Sequence, residues 1–183
     1  MKKLFLFAIT LLMTHFALAQ SVDSKINKIR ELYNQAQEIA KWKNTDEWME
    51  HGCYSFDFSS RINYAGGGVI STNTEVFIDV SDDYEGDNFN MPSPWFVREK
   101  SSRASDLYRE LLFDTKTGNL IFCYLRCRGE SGNMVEQRLY YEKGKLLKAV
   151  PAKIEETMYS LSDPLDVAKT IKEMVDGLSS LGY

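Results

Sequence analysis

The chain has 183 residues and a formal charge of −4, from 22 Lys and Arg against 26 Asp and Glu; its 44% hydrophobic share is that of a globular protein with a core. A nucleic-acid binder carries a basic face or stripe, whereas here the basic residues are scattered along an acidic chain, which argues against nucleic acid as a partner. Three cysteines and two histidines leave few residues for metal or nucleophile chemistry.

Lys2 and Lys3 precede the apolar run LFLFAITLLM, and Ala17-Leu18-Ala19 stands before Gln20. A charged start, a short apolar stretch and a small-residue cleavage pattern are the parts of a secretory signal peptide. Residues 1–19 are expected to be removed, leaving 20–183 as a single α+β domain. Lys2 and Lys3 leave with them, so 20 basic residues face 26 acidic ones and the formal charge becomes −6. No stretch reaches the roughly 18 to 20 apolar residues of a spanning helix. No cysteine stands at the cleavage point to carry a lipid, so the expected location is secreted or periplasmic.

From Ser24 to Trp42, Ile26, Ile29, Tyr33, Ala36 and Ile39/Ala40 recur at steps of three and four, which predicts an amphipathic helix. A second short helix is expected in NTDEWMEHG, with Asn44 and Glu47 at capping-box spacing. After Gly52 the period becomes two. CYSFDF and TEVFIDV read as strands, and AGGGVISTN between them reads as their connection. These glycines lack the Lys-Ser/Thr or the strand-to-helix context of a phosphate loop. SDDYEGDNFNMPSPW is loop-like. WFVREK, LYRELLFD, NLIFCYLRC, VEQRLYYE and KLLKAV then follow as strands, with Gly118 and Gly144 supplying positive φ in two hairpin turns. Asp163 can cap a last helix with Pro164 at its first position and Val167, Ile171, Met174/Val175 and Leu178 as its stripe. The sum is an antiparallel meander of six or seven strands, with both helices expected on one face of a curved sheet.

INKIRELYNQAQEIA, YRELLFDTKTGNLIFCYLR and LYYEKGKLLK together resemble an uncharacterised group of small secreted Bacteroidetes proteins. The resemblance covers about a third of the chain after residue 19. It implies secretion and an α+β fold similar to cystatin or nuclear-transport-factor-like (NTF2-like) arrangements, and it carries over no active-site residue.

Catalytic patterns are sparse. His51 is the only histidine after residue 19, and GESG at 129–132 lacks the second spacer of Gly-x-Ser-x-Gly. His51, Cys53, Cys123 and Cys127 would supply a zinc set, but strand positions four apart lie about 13 Å from one another, too far for one metal. The same distance forbids a Cys123–Cys127 disulfide. In an exported protein the favoured bridge is Cys53 to Cys127, then Cys53 to Cys123, with no bridge the remaining alternative; Cys123 is expected in the core. Asp79, Asp82, Asp83, Glu85 and Asp87 miss the EF-hand register, since Pro92 stands at position twelve. No metal or cofactor is expected. Trp48, Tyr84 and Trp95 are the candidate ligand-binding anchors, suited to a glycan, peptide or protein partner. The chain therefore reads as a non-catalytic binding protein. The alternatives are a carboxylate-dependent secreted hydrolase and a structural or assembly protein of the periplasm.

Overall fold

The computed structural model describes residues 2–50, 53–64, 68–79, 94–102, 106–153 and 164–180. In chain order the elements are α1 (Lys2–Lys41), α2 (Asp46–Glu50), β1 (Cys53–Tyr64), β2 (Gly68–Asp79), β3 (Phe96–Ser101), β4 (Leu107–Phe113), β5 (Leu120–Arg128), β6 (Met134–Glu142), β7 (Lys145–Val150) and α3 (Pro164–Ser180). The seven strands form one antiparallel sheet in which every neighbour in space is a neighbour in sequence. This is the α+β meander that the period-two segments predict.

The turns explain the register. Asp114 Oδ1 accepts from the Lys116 and Thr117 amides at 3.0 and 2.9 Å, and Gly118 at φ 65° closes the β4–β5 connection. Lys143 and Gly144 at φ 51° and 73° form the two-residue turn between β6 and β7, where a hairpin of this hand needs two positive φ angles.

Four expectations are corrected. β1 and β2 are 12 residues each, so GVISTN belongs to a strand and only 65–67 separate the pair. Polar cross-strand partners sustain that ladder, such as the Ser59 hydroxyl donating to Asn73 Oδ1 at 2.9 Å. Asn44 sits at φ 68° just after α1, a left-handed conformation incompatible with the extended backbone of an N-cap. Period two along NLIFCYLRC predicts Ile121, Cys123, Leu125 and Cys127 on one face, but Ile121 does not share it with Cys123. The register shifts between Leu112 and Phe113, turning Ile121 toward the Phe122 side while Leu120 joins the Cys123 side.

The fourth correction concerns the helices, which cover opposite faces of the sheet. Val76, Val97, Leu111, Cys123, Leu125 and Leu139 pack with Ala168, Ile171 and Val175 of α3. Phe77, Phe96, Leu112, Phe122 and Tyr140 pack with Ile26, Ile29, Ala36 and Ala40 of α1. The reason is visible in β4, where Leu111, Leu112 and Phe113 are consecutive and all buried. A strand apolar on both faces requires cover on both. Each such side chain contributes about 1.5–3 kcal/mol when fully buried.

Cys127 is a free, buried thiol on β5. Three strands separate β5 from β1, about 19 Å at ordinary strand spacing, whereas a disulfide needs Cα atoms within about 7 Å. The favoured Cys53–Cys127 bridge is therefore not formed, and the same separation applies to Cys123.

Candidate functional site

The hydrogen-bonded register lays three rows across the face under α1. The first is apolar and aromatic: Phe77, Phe96, Leu112, Phe122 and Tyr140. The second, one pleat further out, runs Glu75, Arg98, Glu110, Tyr124 and Arg138. The third runs Asn73, Lys100, Tyr108, Arg126 and Glu136. α1 docks on the first row and reaches over the second with Tyr33 and Gln37, leaving an open cleft of about 660 Å³ between helix and sheet.

Glu110 is the centre of this arrangement, its side chain only 3% exposed. The Tyr33 hydroxyl and the Gln37 amide both donate to Oε2, the latter at 3.2 Å. The Tyr108 hydroxyl donates to Oε1 at 2.5 Å, and Arg98 Nε lies 3.5 Å from the same oxygen. A carboxylate offers about four lone-pair sites, and all four face a donor. Burial, then the hydrogen bond to Glu110 and that group's negative charge, push the Tyr33 and Tyr108 phenols well above their ordinary range. Burial and a hydrogen bond to Glu136 push Tyr124 in the same direction. The Tyr33 ring also stands 4.5 Å from Phe122, centroid to centroid, which ties the polar centre to the apolar row.

Lys43 closes one end of the second row, with Nζ 2.5 Å from Asp57 and 2.9 Å from Glu75. Partial burial opposes its charge, but the two carboxylates outweigh that and hold its pKa above the ordinary lysine value.

At the other end three guanidiniums lie on tyrosine rings. Arg126 is 5.5 Å from the Tyr108 centroid, Arg138 is 5.5 Å from Tyr124, and Arg30 is 5.8 Å from Tyr140. Arg30 Nε also donates to the Tyr140 hydroxyl at 3.1 Å. Among the described residues the arginines with carboxylate partners are Arg98, Arg109 and Arg128; Arg30, Arg126 and Arg138 have none. These three charges are exposed along the cleft, held by ring stacking rather than by neutralisation.

No family model matches this chain, and no curated protein or solved structure does either.

Of the aromatic anchors expected from sequence, the two that are described, Trp48 and Trp95, lie elsewhere. Trp95 is 8% exposed and belongs to the core under α1, so it has little surface to offer a ligand. Trp48 is half-buried with its ring edge-on to Phe77 at 5.6 Å. Tyr84, His51 and the acidic residues 82–87 lie outside the described residues. Cys127 is on the opposite face, in the α3 core. Among the described residues no three His, Cys, Asp or Glu side chains converge as a metal site.

The cleft residues escaped sequence reading because each strand was read by itself. Their signal is a shared transition along the α1 face: Phe96 to Arg98 to Lys100, Leu112 to Glu110 to Tyr108, Phe122 to Tyr124 to Arg126, Tyr140 to Arg138 to Glu136. Four strands turning from apolar to charged at one depth mark the rim of a core that opens onto a polar surface.

Proposed function

We propose that the chain is an exported, non-catalytic binding protein, secreted or periplasmic, that takes a glycan, peptide or protein segment in the cleft between α1 and the sheet. The observation that carries this reading is the division of labour inside the cleft. Glu110, the buried carboxylate, is held by three hydrogen bonds and an ion pair and acts as scaffold, whereas Arg30, Arg126 and Arg138 are positioned and have no carboxylate partner among the described residues. That arrangement favours recognition over the alternative of a carboxylate-dependent hydrolase, which needs a carboxylate able to exchange a proton with substrate. The test is a thermal-shift screen of residues 20–183 against glycans and peptides, with metals and chelator as further arms. Stabilisation by a glycan or peptide, lost in Arg126→Ala, supports the reading; stabilisation that survives Arg126→Ala places binding elsewhere. A structural or assembly role is the second reading, favoured by the exposed Tyr54, Ile62 and Val69 on the edge hairpin β1–β2.

A further inference from the structure

Resting on that reading, we infer that the ligand is an acidic peptide segment bound in extended form, its carboxylates taken by Arg126 and Arg138.

In a chain that is net negative, the cleft gathers Arg30, Arg126, Arg138 and Lys100, none of them in an ion pair among the described residues. Glu110 is matched by Arg98, and Asp106 of the adjoining hollow by Arg128, so among the described residues Glu136, which accepts from the Tyr124 hydroxyl and stands opposite Arg126, is the one unmatched opposing charge. The balance is cationic, and planar guanidiniums present paired donors that suit a carboxylate.

The hollow continues past Tyr108 and Arg126 into a neighbouring one of about 700 Å³ that Lys100 also lines, so the surface is a track rather than a single-anion pocket. Arg126 and Arg138 are diagonal neighbours on adjacent strands, since Arg126 pairs with Glu136 and Tyr124 with Arg138. Diagonal positions are about 7–8 Å apart, and alternate side chains of an extended peptide are separated by about 6.6–6.8 Å. Acidic residues at i and i+2 therefore meet both guanidiniums.

The tyrosine rings favour a peptide over a sugar. A tyrosine platform for a sugar ring needs an open face, but Tyr108, Tyr124 and Tyr140 each carry a guanidinium over the ring.

The experiment is calorimetric titration of residues 20–183 with acetylated, amidated hexaglutamate, hexaglutamine and trigalacturonate. Hexaglutamate is expected to bind and hexaglutamine not to. Raising salt from about 0.05 to about 0.5 M should weaken hexaglutamate by about tenfold or more. Arg126→Gln/Arg138→Gln should do the same, while Arg61→Gln, an arginine outside the cleft, leaves affinity unchanged. If the double variant loses its fold, the two single exchanges carry the comparison. Arginine-dependent binding of trigalacturonate without hexaglutamate would overturn the peptide assignment and leave the binding cleft standing. Equal weakening by Arg61→Gln would overturn the cleft as the locus. Silence from all three probes overturns the acidic ligand, and silence from the wider glycan and peptide screen as well overturns the binding reading itself.

Discussion

Replacing Glu110 with alanine tests the centre of the cleft. The substitution leaves Tyr33, Tyr108, Gln37 and Arg98 facing a vacated site. Arg98 suffers most, because its buried Nε has no hydrogen-bond partner among the described residues and the exchange removes the carboxylate with which it is ion-paired at 3.5 Å. Removing one partner of a buried pair costs about 3–5 kcal/mol, because the other charge stays desolvated. The open cleft lets water reach the vacated donors, which places the expected loss at the lower end, about 3 kcal/mol. At roughly 2–4 °C per kcal/mol for a domain of this size, Tm should fall by about 6–12 °C. Glu110→Gln keeps an acceptor and should lose about half as much. Urea unfolding of both variants measures this directly, with the slope m unchanged if the native fold is kept. A Glu110→Ala variant within about 0.5 kcal/mol of the parent would refute the four-donor scaffold.

Three further outcomes are expected. The Tyr33 and Tyr108 phenols are raised above their ordinary 10.0 in the fold, so their contribution is whole below pH 10 and is lost as pH climbs beyond it toward the folded values. A near-ultraviolet titration should show these tyrosines ionising only as the protein unfolds, and Tyr33→Phe/Tyr108→Phe should flatten the alkaline loss; ionisation near pH 10 in the native state would contradict this. Burial also raises the Cys127 thiol, so alkylation of the native protein should spare it, and denaturation without reductant should expose it to full modification by intact mass. Protection that only reductant relieves would mean a bridge. Finally, Ile171 of α3 and Ile26 of α1 pack against opposite faces of the sheet, each 5% exposed or less, and Ile171→Ala and Ile26→Ala should each cost about 2–4 kcal/mol. Their double variant should be additive to about 0.5 kcal/mol; stronger coupling would mean that the two cores are not separated by the sheet.

The strands were legible because each carries its own period-two pattern and its own turn chemistry, as at Gly118 and Gly144. The assignment of helices to faces was legible only in part. Leu111-Leu112-Phe113 already demands two covered faces, but nothing local tells which helix takes which. The cleft was hidden for a related reason. Glu110 and Arg98 are ordinary charged residues in sequence, and their burial arises only when three strands and α1 align them. The tryptophans misled in the opposite sense: Trp95 follows the Pro-containing sequence MPSP, yet it packs at the start of β3 because its bulk fills the α1 core.

The meander also dictates an order of assembly. Apart from residues 80–95 between β2 and β3, each strand meets its partner through a short connection, for which loop closure costs little entropy, so the hairpins can form one after another. The N-terminal helix cannot join in that way. Its contacts span the chain, from Lys25 to Glu142 across 117 positions and from Arg30 to Tyr140 across 110. Although α1 precedes the sheet in sequence, its docking is complete only once β6 is in place, and until then the row from Phe77 to Tyr140 is not fully covered. The surface that completes the cleft is therefore also the last to close.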